Sequence, residues 1–467
     1  MHRLSLSSIL ICIPLATSAS SYGSIIDNYE GQYGEAITRD VCVIGGGASG
    51  AHAAAPLKDL NKTAVTGTPI DIGVVVSQPL PAVFAFFSKF NVPLLDTSTI
   101  VPNAAGQPAN KSVPAPWFNT VQVHTDFRDG SAVDIPQDGA AVGLALQGLA
   151  AVMSKYAAIL NGYEFLPDPV PKDLVLPFGD FMNKYNPTAA IPIVRQIAQG
   201  QGDLINIPTL YVIKYFNIGD IAALTQGYLT EAKGNNSLLY TRVAEYLGSG
   251  NILFQSTVVS ANRQKGNRSQ LLVSTPGQDR LKLLSCGQIL FTIPPTQANL
   301  QGWDLTDEEE AIFAQLTGAT GYWTGLAKLN ANGKGPGMNQ TVTHQNAAST
   351  TSSNIPVLPA LYGLSPVGVL DDVWWIKFAA DTPTLTMIRE IQTLQRANNV
   401  SVTDPEWLIF DSHSPFMLRA RSEDIEKGFY KRLTGLQGSL GGRMFYSGAA
   451  YNLDVVTVIP KMMKGSA

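Results

Sequence analysis

The feature that most constrains the fold is a glycine-rich turn between an apolar strand and an alanine-rich helix. Asp40–Ile44 has the composition of a buried strand, Gly45–Gly50 follows it directly, and Ala51–Leu60 has helical composition. The turn has the spacing G-x-G-x-x-G, which in this context is typical of a dinucleotide-binding βα unit. The alternative is a glycine-rich turn that holds no ligand. The sequence therefore predicts a Rossmann-type nucleotide-binding domain.

Each glycine of the motif has its own physical role. Gly45 permits the sharp turn, Gly47 lets a pyrophosphate approach the backbone, and Gly50 lets the helix pack closely on the strand. The amide groups at the start of the helix, together with the helix dipole, are expected to hold the phosphates. The candidate cofactor-binding residues in this motif are Gly45, Gly46, Gly47, Ala48, Ser49 and Gly50.

The continuation of the motif is irregular. A second parallel strand ending in Asp or Glu is expected about 20 residues further on, where the carboxylate binds the ribose. In this chain Val65 is followed at once by the turn Thr66–Pro69, and Asp71 lies 21 residues after Gly50. Because Pro69–Val76 has the composition of a separate strand, Asp71 is not favoured as the ribose ligand.

Composition excludes several classes of function. The chain has 467 residues, of which 45% are hydrophobic and 15% charged, and its net charge is −4. An average soluble protein has about 25% charged residues. The low charged fraction and high hydrophobic fraction exclude a disordered chain. The small negative net charge does not predict nucleic-acid binding. The histidines and cysteines lack zinc-binding spacing, and no metal site is predicted.

The first residues resemble a secretory signal. Leu4–Ala16 is a mostly apolar run and Thr17–Ala19 provides small residues for cleavage, so residues 1–19 are predicted to be a signal peptide. A buried N-terminal helix is the alternative. The predicted localisation is extracellular, without a membrane span, because the apolar stretch Ala140–Met153 is short and interrupted. Glycosylation sequons, which predict a glycoprotein, occur at Asn61, Asn110, Asn235, Asn267, Asn339 and Asn399.

Two cysteines remain once the predicted signal, which contains Cys12, is removed. Cys42 and Cys286 both lie in apolar, strand-like runs. Two cysteines in so long a chain do not form a disulfide scaffold. Two buried thiols are therefore expected in preference to a disulfide.

Several segments resemble the fungal secreted branch of the FAD-dependent amine oxidoreductases, the β-cyclopiazonate dehydrogenase-like group. Besides the glycine motif, the resemblance lies in Leu174–Tyr185, Pro208–Phe216, Ile289–Pro295 and Arg443–Leu453. It implies an α/β fold in which a discontinuous Rossmann-type FAD/NAD(P)-binding domain is joined to an α+β substrate or cap domain. The expected FAD-binding segments are 38–77, 235–300 and 431–467, and the expected cap segments are 78–234 and 301–430.

The resemblance also implies cofactor contacts outside the glycine motif. The backbone of Val258 is expected beside the adenine, and the turn at Gly448 and Ala449 beside the ribityl and pyrophosphate groups. Asp454 is a further expected contact. The implied function is hydride transfer from a small organic substrate, possibly an amine, to FAD, with dioxygen as a plausible acceptor. No catalytic residue is identified, and the oligomeric state is left open.

One departure from the family pattern keeps a second interpretation open. Similar proteins have about 20 residues between the positions of Val65 and Thr66, including the end of the second strand and its glutamate. This chain is therefore either a working oxidoreductase or a truncated or mis-spliced member with impaired FAD binding and no catalysis. An NAD(P)-dependent dehydrogenase shares the first motif, but it does not account for Val258 and Gly448.

Overall fold

The structure is a computed structural model in which most of the chain outside the N-terminal region can be described. The described residues are 10–13, 33–47, 76–97, 121–135, 138–264, 266–331, 342–348, 351, 353–367, 370, 372–383 and 385–451. Asp71, the sequons at Asn61, Asn110 and Asn339, and the junction between Val65 and Thr66 lie outside them. The predictions made for those residues stay predictions.

Strands and helices alternate irregularly along the described residues. The strands are β1 Leu10–Ile13, β2 Tyr33–Ile44, β3 Leu94–Asp96, β4 Val121–Thr125, β5 Leu229–Glu231, β6 Ile252–Leu253, β7 Thr257–Asn262, β8 Ser269–Ser274, β9 Leu281–Phe291, β10 Gly318–Thr320, β11 Tyr322–Lys328, β12 Val342–Asn346, β13 Ala360–Pro366, β14 Val373–Ala379, β15 Glu406–Ser412, β16 Phe416–Arg419 and β17 Met444–Tyr446. The α-helices are α1 Pro81–Lys89, α2 Gly139–Met153, α3 Lys172–Val175, α4 Phe178–Tyr185, α5 Ile191–Ile197, α6 Thr209–Tyr215, α7 Ile218–Gln226, α8 Ser237–Leu247, α9 Asp307–Phe313, α10 Leu385–Ala397, α11 Ser422–Glu426, α12 Phe429–Gly435 and α13 Ser439–Gly442.

The larger sheet contains the strand of the glycine motif. Its order is β6-β1-β2-β9-β8-β7, and β17 also pairs with β9. The strands β2, β9 and β17 are parallel, and the last three residues of β2 and of β9 are buried. Such burial on both faces is typical of a parallel sheet covered by helices. The α/β class predicted from the sequence is therefore confirmed.

A segment of the predicted signal peptide forms part of this sheet. β1 pairs antiparallel with both β2 and β6. In a Rossmann unit the second parallel strand lies beside the first, on the flank away from the later strands. β1 occupies that flank of β2 with the opposite direction. The structure thus gives Leu10–Ile13 a structural role that signal cleavage would remove.

The second sheet has the order β15-β11-β14-β13-β12-β4 and is antiparallel except for the β12–β4 pair. Helix α10 packs against it through Ile391 and Leu394, which are buried with Trp374, Ile376 and Phe378. This sheet of large apolar side chains forms a core separate from the nucleotide-binding sheet. The cap-domain boundaries given above stay a prediction.

The cysteines correct one expectation. Cys42 and Cys286 form a disulfide between the adjacent strands β2 and β9, with a Cα–Cα distance of 5.8 Å. The preference for two buried thiols was wrong, although both residues are fully buried as expected. The reason is that the two strands are far apart in sequence and adjacent in the sheet. Composition alone does not show that pairing.

Helix α2 begins a long apolar helical segment. The helical segment Gly139–Leu160 has 22 residues and a mean hydropathy of 1.4, which would suffice to cross a bilayer by length and composition. It kinks at Tyr156 and continues beyond the apolar stretch 140–153 considered above. Length and composition do not distinguish a membrane helix from a helix of a water-soluble protein. The absence of a membrane span stays a prediction.

Candidate functional site

The candidate site lies where three parallel strands end together. Ile44, Phe291 and Tyr446 are the last residues of β2, β9 and β17. The amide and hydroxyl of Thr292 donate to the Ile44 carbonyl at 2.9 and 2.8 Å. The amide of Ser447 donates to the Phe291 carbonyl at 2.9 Å. Ligands of α/β folds bind at the carboxyl ends of such strands, so the glycine turn is in the expected place.

The described part of the glycine turn, Gly45–Gly47, leaves room for a pyrophosphate. Gly45 has a φ of +112°, and a Cβ there would lie 2.5 Å from Thr292 Oγ1 and 2.8 Å from Ile293 Cγ2. Gly47 is exposed, and a Cβ built on it would have no atom within 4 Å. A side chain at Gly45 would therefore clash with Thr292 and Ile293. Gly47 instead faces open space, into which a phosphate group fits. Gly46 is buried between them. Ala48, Ser49 and Gly50 lie outside the described residues.

The second expected contact, the turn after β17, lies beside the same edge. Gly448 has a φ of +113° and is buried, and its carbonyl accepts a hydrogen bond from the Tyr451 amide at 2.9 Å. The carbonyl of Ala449 accepts a hydrogen bond from Lys214 Nζ. Asp454 lies outside the described residues. β9 lies between β2 and β17 and pairs with both. The Gly448 turn and the glycine turn therefore lie at the same edge of the sheet, with β9 between them.

Lys214 was missed by the sequence analysis. It lies on α6, is buried, and its ammonium group is 5.1 Å from the centre of the Tyr163 ring. The segment Pro208–Phe216 was noted as resembling the family, and this was the available signal. Lys328 on β11 pairs with Glu406 at 3.1 Å, and its side chain is 42% exposed.

Val258 lies on β7, at one end of the larger sheet, and is half-buried. The strands β6 and β7 are at opposite ends of the sheet, yet only residues 254–256 connect them. Four Cα steps reach at most about 15 Å, whereas five strand spacings in a flat sheet would cover about 24 Å. The sheet must therefore curl, which brings β7 back toward the β1 flank of β2. The adenine contact of Val258 stays a prediction.

A buried ion network holds β17 in place beside the candidate site. The guanidinium of Arg263 donates to both carboxylate oxygens of Glu309, at 2.9 and 2.8 Å, and its Nε donates to Asp304 at 3.1 Å. The hydroxyl of Tyr446 also donates to Glu309. Burial alone would raise the pKa of Glu309, but the hydrogen bonds and charge of Arg263 outweigh it and lower that pKa. The carboxylate is therefore the stable form in the folded protein.

A cavity opens beside the second sheet. It has an open volume of about 700 Å³, including space continuous with solvent. Its walls come from β4, α5, β12 and β13, which contribute the polar side chains Gln122, His124, Arg195, Gln345 and Tyr362. Burial lowers the pKa of Arg195 to about 10, so the guanidinium stays charged at neutral pH. Burial and the charge of Arg195 lower the pKa of His124, which is therefore neutral.

A run of contacting aromatic rings begins at the cavity. Tyr362 lines the cavity, and its ring centre is 6.0 Å from that of Tyr322. Tyr322 is 5.2 Å from Phe416, which is 5.8 Å from Tyr215. These contacts pack β11, β13, β16 and α6 together.

Comparison with known proteins gives relatives that span nearly the whole chain. The FAD-dependent oxidoreductase oblC of Cochliobolus heterostrophus is 30% identical, over 92% of each chain. The β-cyclopiazonate dehydrogenase of Aspergillus oryzae is 28% identical, over 91% of each chain. No family model matches the chain.

Solved structures share the fold at low sequence identity. A fatty acid isomerase of P. acnes that produces CLA superposes with a TM-score of 0.63 at 15% identity, over 92% of this chain and 97% of the isomerase. Wild-type putrescine oxidase bound to putrescine superposes with a TM-score of 0.58 at 12% identity, over 92% and 98%. Both similarities concern the fold.

Proposed function

The chain belongs to the fungal FAD-dependent oxidoreductases that include β-cyclopiazonate dehydrogenase, and we propose that it oxidises a small organic substrate by hydride transfer to the flavin. The observation that supports FAD binding here is the pair of glycines at the end of β2. Gly45 fits only without a side chain, and Gly47 faces open space. An amine oxidase-like fold supports a substrate carbon next to nitrogen as the position that is oxidised.

The residues that would hold the cofactor lie on three separate segments. Gly45 and Gly47 would hold the pyrophosphate, the Gly448 turn would lie against the ribityl group, and the Val258 backbone would lie against the adenine. When bound, FAD supplies a two-electron acceptor for the hydride, with dioxygen as the proposed final acceptor. Lys214 fixes the Gly448 turn through the Ala449 carbonyl.

We also propose that the protein is secreted and glycosylated. The signal-like residues 1–19 and the sequons support this proposal. The disulfide between Cys42 and Cys286 supports it as well, because disulfides persist mainly in oxidising compartments.

A second proposal is that this chain is a truncated or mis-spliced member with impaired FAD binding and no catalysis. The observation that favours it is the position of β1. An antiparallel strand lies on the flank of β2 where a second parallel strand, with its ribose-binding carboxylate, is expected.

A visible absorption spectrum of the purified protein separates the two proposals, and Gly47→Val tests the site. Gly47 has an ordinary backbone conformation and open surroundings, so valine should leave the fold intact while blocking the pyrophosphate. We expect at least about tenfold less flavin per chain than in the wild type.

The matched control is Gly435→Val, which introduces the same side chain at an exposed helical glycine with open surroundings. Equal flavin content in Gly47→Val and the wild type would contradict the assignment of the glycine turn. A wild-type protein that stays colourless after incubation with FAD would support the truncated-member proposal.

A further inference from the structure

We propose that the cavity around Arg195 recognises an acidic oxygen group of the substrate, such as a carboxylate. This inference rests on the proposed function, since it assigns the substrate class for the same oxidation. We call the space lined by Gln122, His124, Arg195, Gln196, Gln345 and Tyr362 the Arg195 cavity. About 60 Å³ of this space admits a water-sized sphere, which is room for a few water molecules or one small anionic group.

The first argument is that the charge of Arg195 is not neutralised. None of the ion pairs among the described residues includes Arg195. The described lining of the cavity contains no aspartate or glutamate. By contrast, the buried Arg263 pairs with both Glu309 and Asp304. Because a half-buried charge without a counter-charge is costly, an anion entering the cavity would gain from pairing with Arg195.

The second argument is that the guanidinium of Arg195 is already fixed in position. Its Nη1 donates to the Asn346 carbonyl at 2.7 Å, and its Cζ lies 5.4 Å from the centre of the Tyr362 ring. Both contacts orient the group without neutralising it. A guanidinium is a planar fork of N–H donors that matches the two oxygens of a carboxylate. A preoriented fork loses less conformational entropy when it binds an anion.

The third argument concerns the neighbours of the guanidinium. Three titratable side chains line the described cavity: Arg195, Tyr362 and His124. His124 is neutral, because burial and the charge of Arg195 lower its pKa. Gln122 and Gln345 offer amide groups that hydrogen-bond oxygen or nitrogen without adding charge. The cavity therefore favours an anionic oxygen group and disfavours an ammonium group at the same position.

The test compares two probes of equal length and opposite charge. Dissociation constants of 3-phenylpropanoate and 3-phenylpropylamine are measured by calorimetry on the flavin-loaded wild type, Arg195→Gln and Arg195→Lys. We expect the wild type to prefer the acid by about tenfold or more, and Arg195→Gln to lose that preference. Arg195→Lys should bind the acid with intermediate affinity, because lysine keeps the charge but not the fork. Arg396→Gln, an exposed position on α10, is the control and should bind like the wild type.

The methyl ester of the acid provides a test that needs no variant. If the wild type binds the ester as tightly as the acid, or if Arg195→Gln retains the preference for the acid, the inference is wrong. The flavin absorbance of each sample is recorded alongside. A wild type that retains flavin but shows no preference for the acid overturns only the Arg195 cavity assignment. Absence of flavin from the wild type overturns the proposed function and leaves the binding result to decide the cavity.

Discussion

At the scale of single residues, the structure separates glycines and ions that serve the fold from those that face a ligand. A side chain at Gly45 would clash with Thr292 and Ile293, whereas a Cβ at Gly47 would meet no atom within 4 Å. Arg263 is fully paired with carboxylates, whereas Arg195 is not. The proposed ligands would contact Gly47 and neutralise the charge of Arg195, which no described ion pair does.

The Arg263–Glu309 pair gives a prediction about stability and pH. The pKa of Glu309 is lowered in the folded state, so its contribution is present above the unfolded pKa and is lost as the pH falls through the folded value. Glu309→Gln should lower the free energy of unfolding by about 3–5 kcal/mol at pH 7, because it leaves Arg263 buried without its main partner. The difference from the wild type should shrink below about pH 4.

Urea denaturation at pH 7 and at lower pH measures this effect. Glu308→Gln is the matched control, since Glu308 is the exposed neighbour on the same helix and its change should fall within about 0.5 kcal/mol. A Glu309→Gln protein as stable as the wild type at pH 7 would show that the network does not stabilise the fold.

At the scale of elements, features set by local sequence were predictable, whereas contacts between residues far apart in the chain were not. The strand before the glycine motif was predicted, because composition and glycine spacing are local signals. The turn at Gly448 followed from the resemblance to the family. The contacts of Lys214 with Ala449 and of Arg195 with Asn346 were not predictable. They join residues separated by 235 and 151 positions, and only the folded arrangement reveals them.

The N-terminal strand gives a prediction at this scale. If residues 1–19 are a cleaved signal peptide, protein recovered from the culture medium should begin close to Ser20 and lack β1. Its β2 residues Val41–Ile44 would then lose their β1 partners, and their amide hydrogens should exchange faster than in a full-length chain. The amides of β17, which pair with β9, are the internal control.

Mass spectrometry of the intact protein identifies the N-terminus, and hydrogen exchange measures the amides. Recovery of secreted protein that still contains Leu10–Ile13 would contradict the signal-peptide prediction. It would favour β1 as a permanent part of the sheet.

At the scale of the whole molecule, the disulfide joins the strand before the glycine turn to the strand that lies next to it. The two cysteines are 244 residues apart in sequence. A crosslink over so long a loop restricts the unfolded chain strongly. The double variant Cys42→Ala/Cys286→Ala, which leaves neither thiol unpaired, should lose about 2–5 kcal/mol of stability.

Thermal unfolding of this variant and of the wild type, each without reductant, measures that loss. The control is the wild type unfolded in the presence of reductant, which should approach the midpoint of the variant. Equal midpoints for variant and oxidised wild type would show that the crosslink adds nothing to stability.

The same crosslink has a topological consequence. The backbone from Cys42 to Cys286, closed by the sulfur–sulfur bond, forms a covalent ring. A protease that cuts once within this ring opens it without releasing a fragment, so the nicked protein keeps its original mass apart from one added water. A mass measurement on the unreduced protein would therefore show no loss of a fragment. The two pieces would separate only after the sulfur–sulfur bond is reduced.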